Sequence, residues 1–238
     1  LKTGFPFDLN VSETRAEIQF GHVKRPSHKN TSWDQARFES SMHRWVDMSE
    51  PDFGAALLTD CKYGYDAVEQ NVRLTLLKGP NMPDPDADLG VHCLRYALLL
   101  HQGAQDLSQV VRAAERFNNP IMVHGSIENG ATEQRELEKD FSFAIVDTAN
   151  LTLETVKFAE VGNEAILRIF EHANRRSTGR IEFGLPVAYV TETDLMERNT
   201  GPCYDVSDNA VELTFRPFEI KTLKVTFEQH TRLGGGRT

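Results

Sequence analysis

The residues between Arg25 and Gly64 include side chains suited to recognising a sugar or a charged partner: His28, Asn30, Trp33 and Asp34, then Asp60, Lys62 and Tyr63. An indole or phenol offers an apolar face to pyranose C–H groups. Carboxylates, amides and ammonium groups supply acceptors and donors for hydroxyls. Trp33 beside Asn30 and Asp34 has the composition of a sugar platform. The preferred alternative makes Trp33 the anchor of a long loop, with Asn30 and Asp34 bonding backbone. The run Asp60-Cys-Lys-Tyr-Gly64 follows the apolar stretch Ala55–Leu58 and ends in glycine, so it should project a cation and a phenol from a sheet edge. There Lys62 can bond sugar hydroxyls or carboxylates, and Tyr63 can stack. The competing reading lays the Lys62 stem over apolar surface and packs Tyr63 under the turn.

Bond cleavage would ask for more. Retaining glycoside hydrolysis needs two carboxyl groups about 5 Å apart, and no spacing here marks such a pair. His22, His92, His101, His124, His172 and His230 are scattered, none at metal-ligand spacing, and each reads as structural or exposed. Cys61, Cys93 and Cys203 are odd in number and far apart, which argues against a disulfide framework and a cysteine zinc site. Asp84, Asp86 and Asp88 alternate as in some calcium loops but lack the glycine and glutamate such loops need, so they read as a solvated turn. No catalytic residue and no metal ligand is expected in this chain. A net charge of −9 makes nucleic acid a poor partner. No apolar run reaches the roughly 20 residues of a membrane span. The sequons at Asn10, Asn30 and Asn150 read as chance.

The elements that must hold these groups are mostly strands. Apolar residues alternate with polar ones at Ala16, Ile18 and Phe20, at Val72, Leu74 and Leu76, at Ile181, Phe183 and Leu185, and at Val211, Leu213 and Phe215. Period two of this kind marks antiparallel strands with one face on a core. Between Ile220 and Leu223 the parity switches, which a bulge would explain. Trp45 reads as core. One helix is expected over 106–117, with Leu107, Val110, Val111, Ala114 and Phe117 on one face, Asp106 and Gln109 as a capping box, and Asn118-Asn-Pro120 as its stop. Residues 125–139 read as a polar surface excursion and 234–238 as a loose tail. The chain opens on Leu1-Lys-Thr-Gly-Phe-Pro rather than Met, as a piece of a longer polypeptide would.

The stretch Arg25-Pro-Ser-His-Lys-Asn-Thr-Ser-Trp-Asp34, followed by Leu57-Leu-Thr-Asp-Cys-Lys-Tyr-Gly64, closely resembles a run in the C-terminal β region of glycoside hydrolase family 38, the zinc-dependent α-mannosidases. Ser27 and Thr59 are its departures. Pro83-Asp-Pro-Asp-Ala-Asp88 and His101-Gln-Gly103 continue the likeness, with Leu100 where proline is usual. Glu154–Glu160, Leu167–Glu171, Asp194–Glu197 and Pro217–Leu223 extend it to the end. The resemblance is to the branch holding cytosolic and vacuolar enzymes. It implies a mainly β chain: an antiparallel β-sandwich of the mutarotase-like supersandwich kind over 1–147, then a smaller C-terminal β-sandwich over 148–238, with one short helix. It further implies an α-mannoside substrate and a cytoplasmic location. The partner it implies is an N-terminal catalytic domain of the same polypeptide, which would carry the zinc, the nucleophile and the acid/base. This chain has no His-x-Asp pair of the kind that domain uses. The residues His28, Asn30, Trp33, Asp34, Asp60, Lys62 and Tyr63 would then line an active-site rim. Homo-oligomerisation is left open. The alternative function is a stand-alone carbohydrate-binding module or a mutarotase-like sugar epimerase, which would need a histidine and a carboxylate facing one sugar.

Overall fold

The computed structural model describes residues 1–103, 106–123 and 140–228. The excursion expected at 125–139, the tail at 234–238, His124 and His230 lie outside the described residues. Two compact units divide the chain, Leu1–Val123 and His124–Thr238.

In the first unit the strands are β1 (Lys2–Pro6), β2 (Glu13–Ile18), β3 (Gly21–Pro26), β4 (Ser40–Ser41), β5 (Trp45–Ser49), β6 (Gly54–Thr59), β7 (Gly64–Val68), β8 (Asn71–Thr75) and β9 (Tyr96–His101). Helices α1 (Ser32–Ala36) and α2 (Ser108–Asn118) interrupt them. A five-stranded sheet in the order β3-β2-β5-β6-β9 faces a four-stranded sheet, β1-β8-β7-β4, and all pairs are antiparallel. Ala16, Val46, Met48, Ala55 and Leu57 from the first meet Tyr65, Val72 and Leu74 from the second in one core. On the other side of the larger sheet, Trp45, Ala56 and Leu58 pack against Leu107, which precedes α2, and Val110, Val111 and Ala114 within it. The apolar stripe read from the sequence is thus the buried face of that helix.

In the second unit the strands are β10 (Ala144–Val146), β11 (Leu151–Phe158), β12 (Ala165–Glu171), β13 (Ser177–Phe183), β14 (Val187–Thr193), β15 (Asn199–Tyr204), β16 (Ala210–Phe215) and β17 (Ile220–Phe227). A five-stranded sheet, β11-β12-β17-β14-β15, faces the three strands β10-β13-β16. Their shared core holds Leu167, Ile169, Val190, Leu223 and Val225 against Ile181, Phe183, Val211, Leu213 and Phe215. Both units are antiparallel β-sandwiches, as expected.

Several expectations need correction. The division between units falls before β10, which pairs with β13, so the second sandwich begins upstream of the 147/148 boundary. There are two described helices rather than one, because Thr31 and Asp34 cap a short turn at α1. Of the row Ala16, Ile18 and Phe20, only Ala16 is buried: β2 ends at Ile18 and the chain turns at Phe20, whose φ is 54°. Glu17, expected on the solvent face, is buried because Arg44 bonds it through Nε and Nη2, the latter at 2.6 Å. No bulge separates Ile220 from Leu223, since β17 pairs with β12 in continuous register. β12 is buried on both faces, so Ile220 opposes Phe170 on one side while Leu223 and Val225 enter the core on the other. Finally, α2 starts at Ser108, and Asp106 accepts the Ser108 N–H at 2.9 Å without the Gln109 half of the box.

At the end of β9 the chain needs glycine. Gly103 has φ of +64°, and a Cβ there would sit 2.1 Å from the carbonyl oxygen of Pro51. Backbone cannot yield cheaply to such a clash. Gly103→Ala is expected to destabilise the first unit by about 2 kcal/mol, measurable as a lowered urea midpoint with unchanged slope.

Candidate functional site

The predicted residues fall into two groups that the structure does not merge. The first surrounds α1. Thr31 Oγ1 accepts the Asp34 N–H at 3.1 Å, and Asp34 Oδ2 accepts the Thr31 N–H at 3.1 Å and its hydroxyl at 2.7 Å, a reciprocal capping box. The Asp34 carboxyl is held below its usual value, first by the Thr31 hydroxyl and then, against burial, by the Thr31 amide and the nearby His28 and Arg37. His28 Nδ1 lies 3.6 Å from Asp34 Oδ2. Lys29 Nζ donates to the carbonyls of Asp34 and Arg37 at 2.8 and 2.6 Å, closing the turn from below. Asp34 therefore does bond backbone as expected, but Trp33 does not anchor the loop. Trp33 is 82% exposed, as is Phe38. The helix is too short to have a second face, and its one inward residue is Asp34. Asn30 is exposed beside it.

The second group is the run after β6. Asp60 Oδ2 accepts from Arg95 Nε at 2.7 Å, which ties the loop to the chain entering β9. A hydrogen bond from Cys61 and then the Arg95 contacts hold the Asp60 carboxyl below its usual value. The same contact to Asp60, reinforced by burial, raises the Cys61 thiol, so this cysteine stays protonated at neutral pH and is a poor nucleophile. A depressed carboxyl stabilises the fold above its ordinary range, and that contribution is lost only as pH falls through the lowered value. The Lys62 N–H donates to Thr59 Oγ1 at 3.1 Å, and Met42 N–H to the Tyr63 carbonyl at 2.8 Å. With its backbone thus bonded, Tyr63 is 55% exposed. Among the described residues no carboxylate pairs with the Lys62 ammonium.

Lys62 and Tyr63 open onto a groove of about 410 Å³ that also takes in Thr75, Leu76, Lys78, Pro80 and Asp88. The lining combines the apolar Leu76 and Pro80 with the Lys62 ammonium, the Tyr63 phenol and the Lys78 ammonium, the last paired with Glu39 at 2.7 Å, a composition that can hold a sugar by stacking and hydroxyl bonds. Asp88 is the one carboxylate in the lining, so the groove holds no acid/base pair of its own. Asp60, His28, Asn30, Trp33 and Asp34 do not line it.

Sequence reasoning missed the second wall. Thr75, Leu76 and Lys78 come back beside Cys61–Gly64 because β7 and β8 form a hairpin, with Tyr65 opposite Leu74 and Val68 opposite Asn71. Its turn is Glu69-Gln70, with Glu69 at φ of 55°. An Asn-Gly or Asp-Gly there would have marked the register; this pair does not.

Among the described residues no three His, Cys, Asp or Glu side chains converge as metal ligands. The Asp84–Asp88 run is spent locally, with Asp88 accepting the Gly79 N–H and Asp84 the Asp86 N–H. A histidine and a carboxylate do meet at His101 and Asp47, 2.8 Å apart. Both side chains are wholly buried, and no sugar can reach them. No described helix is long and apolar enough to cross a membrane.

Comparison with known proteins follows the same two units. The family described as glycosyl hydrolases family 38 C-terminal domain matches residues 1–86, and glycosyl hydrolases family 38 C-terminal beta sandwich domain matches 150–223. Alpha-mannosidase 2C1 of Mus musculus is 37% identical over 232 residues, covering 96% of this chain and 22% of that protein. An alpha-mannosidase of Saccharomyces cerevisiae is 30% identical over 248 residues, covering 95% of this chain and 22% of its own length. The chain thus spans about a fifth of the length of the curated relatives it matches. The fold is shared with the crystal structure of an alpha-mannosidase from Enterococcus faecalis V583, at a TM-score of 0.79 and 18% identity over 95% of this chain and 25% of that one.

Proposed function

This chain belongs to glycosyl hydrolases family 38, as part of its C-terminal β region, and from that premise we propose that it is the scaffold end of an α-mannosidase. The reading rests on one observation above all: the two family matches stand in order on two separate sandwiches, within relatives named as alpha-mannosidases that are several times longer. The whole polypeptide would hydrolyse terminal α-D-mannosyl residues with retention of configuration. Zinc, when bound, would polarise or position the sugar. On this reading its ligands come from the catalytic domain of the longer polypeptide; among the described residues no three His, Cys, Asp or Glu side chains converge. What these residues contribute is a stable wall and rim. The place of action would be the cytoplasm, the location that the sequence resemblance to the cytosolic branch implies.

Within that reading the groove beside Cys61–Gly64 borders the substrate. Lys62 donates to sugar hydroxyls and the Tyr63 ring packs on a pyranose face. Asn30 and Trp33 form a separate exposed platform, with His28 half-buried beside it and Asp34 buried beneath as its cap, and Asp60 sets the loop through Arg95.

The test compares the full-length polypeptide with the 238-residue chain on a chromogenic α-mannoside, with and without a chelator. Turnover by the full-length protein that the chelator abolishes, with none from the chain alone, is the expected result. Chelator-sensitive turnover by the chain alone would defeat the scaffold reading. In the full-length protein, Lys62→Ala and Tyr63→Ala are each expected to lower kcat/KM by roughly ten-fold, about 1.4 kcal/mol, with little change in Tm. A large fall in Tm with unchanged kinetics would assign both residues to packing instead.

A further inference from the structure

The first sandwich is one strand short on one side. Five strands face four, and the mismatch lies at β9. Leu98 and Leu100 stand opposite Leu57 and Ala55, both buried in the inter-sheet core, so they project from the core side of the larger sheet. Yet Leu98 is 46% and Leu100 63% exposed. The opposing edge is β1, since the ring of Phe5 meets that of Tyr96 at 5.8 Å between centroids. Nothing in the four-stranded sheet reaches past β1 to cover the two leucines.

The free edge of β1 is ready for pairing. Phe7 N–H donates to the Gln70 carbonyl and Leu76 N–H to the Leu1 carbonyl, so the odd residues of β1 bond β8. By the alternation of antiparallel ladders, the backbone groups of Lys2 and Gly4 face outward. Pro6 offers no N–H, so the pairing must be short. The Lys2 side chain does not guard the edge, because its ammonium is held by Asp66 at 2.5 Å.

We propose that an extended segment of the same longer polypeptide, from outside this chain and apolar at alternate residues, adds antiparallel to β1 along Lys2–Gly4 and covers Leu98 and Leu100. The proposal rests on the reading that this chain is one region of a larger protein, supported by relatives of which it spans 22%. An unpaired edge beside an uncovered apolar row is the situation strand addition relieves. A single added strand satisfies both at once, whereas a helix laid on the leucines would leave the edge bare.

Hydrogen exchange on the full-length polypeptide and on the 238-residue chain decides it. The Gly4 amide should exchange about 100-fold more slowly in the full-length protein. A thiol placed by Leu100→Cys should react with a maleimide roughly ten-fold more slowly there, scored by peptide mapping apart from the native cysteines. Equal exchange and equal labelling in the two proteins would overturn the proposal. Protection already present in the 238-residue chain would also overturn it, and sedimentation as a dimer would then assign the edge to a second copy. Should the Leu100 variant fail to fold, the wild-type exchange comparison still decides. The mannosidase reading fails separately: a full-length protein without mannoside turnover can still show Gly4 protected.

Discussion

Asp47→Ala is expected to destabilise the first unit by about 3–5 kcal/mol, the cost of leaving buried charge without its partner. Asp47 sits on the central strand β5, its side chain wholly buried, and three side chains converge on it. Arg15, directly opposite on β2, donates through Nε and Nη2 to Oδ2 at 3.1 and 2.8 Å. The Ser49 hydroxyl lies 2.8 Å from both carboxylate oxygens. The His101 ring on β9 approaches Oδ1 through Nε2 at 2.8 Å, and because an ionised carboxylate only accepts, the ring donates through that nitrogen. Gly54 makes room for it, since a Cβ at that position would lie 2.4 Å from the imidazole. Removing the carboxylate strips an acceptor from a guanidinium, an imidazole and a hydroxyl together. Asp47→Asn keeps the shape and one oxygen, and should cost about 1–3 kcal/mol. Urea unfolding of both variants measures the two figures. An alanine variant as stable as the parent would show that the cluster contributes little beyond filling space.

In the second unit the comparable position is Glu171, expected to cost about 3 kcal/mol on substitution by alanine. Its side chain is fully buried at the end of β12 and accepts three backbone amides: Oε1 accepts the Ala173 N–H at 2.8 Å, and Oε2 accepts those of Arg175 and Phe218 at 3.1 Å each. Two turns are thereby pinned from one point. Each contains a residue in the left-handed region, Asn174 at φ of 60° and Phe218 at 57°. A phenylalanine held there needs its surroundings to enforce it. Without the carboxylate, three amides lose a charged acceptor at once. Glu171→Gln should recover roughly half of the loss, because its oxygen still serves one turn while its NH₂ confronts donors. Equal stability of the alanine variant in thermal unfolding would contradict this account.

Neither cluster could be read from the sequence, for the same reason that others could. Val72 and Leu74, Ile181 and Phe183, and Val211, Leu213 and Phe215 announce their strands because one face is apolar and the other polar. The α2 stripe is visible on the same principle at helical period. Asp47 and His101 look like solvent-face residues until cross-strand pairing gives them partners, and that pairing is set by register, which carries no local mark here, while Glu171 gains its partners only when two turns fold back onto it. β12 and β17 mislead in another way. Both their faces are buried in part, so parity ceases to distinguish inside from outside. Trp33 shows the limit for the candidate site. Its type suggested a buried anchor, whereas a one-turn helix closed by Thr31, Asp34 and Lys29 leaves the indole outside. Lys62 and Tyr63 were legible as a projecting pair, but the Lys78 wall depends on the β7–β8 hairpin.

The order β11-β12-β17-β14-β15 has one more consequence. β17, the last described strand in the chain, lies in the middle of its sheet, between β12 and β14. During synthesis the ribosome delivers the flanking strands first, with a gap where their common neighbour belongs. Leu223 and Val225, both at the centre of the core, arrive after the residues they must join. This sandwich therefore cannot close progressively as it emerges. It must wait, its unpaired β12 and β14 edges open to chaperones or to each other, until Ile220–Phe227 slots in and completes the layer in one step.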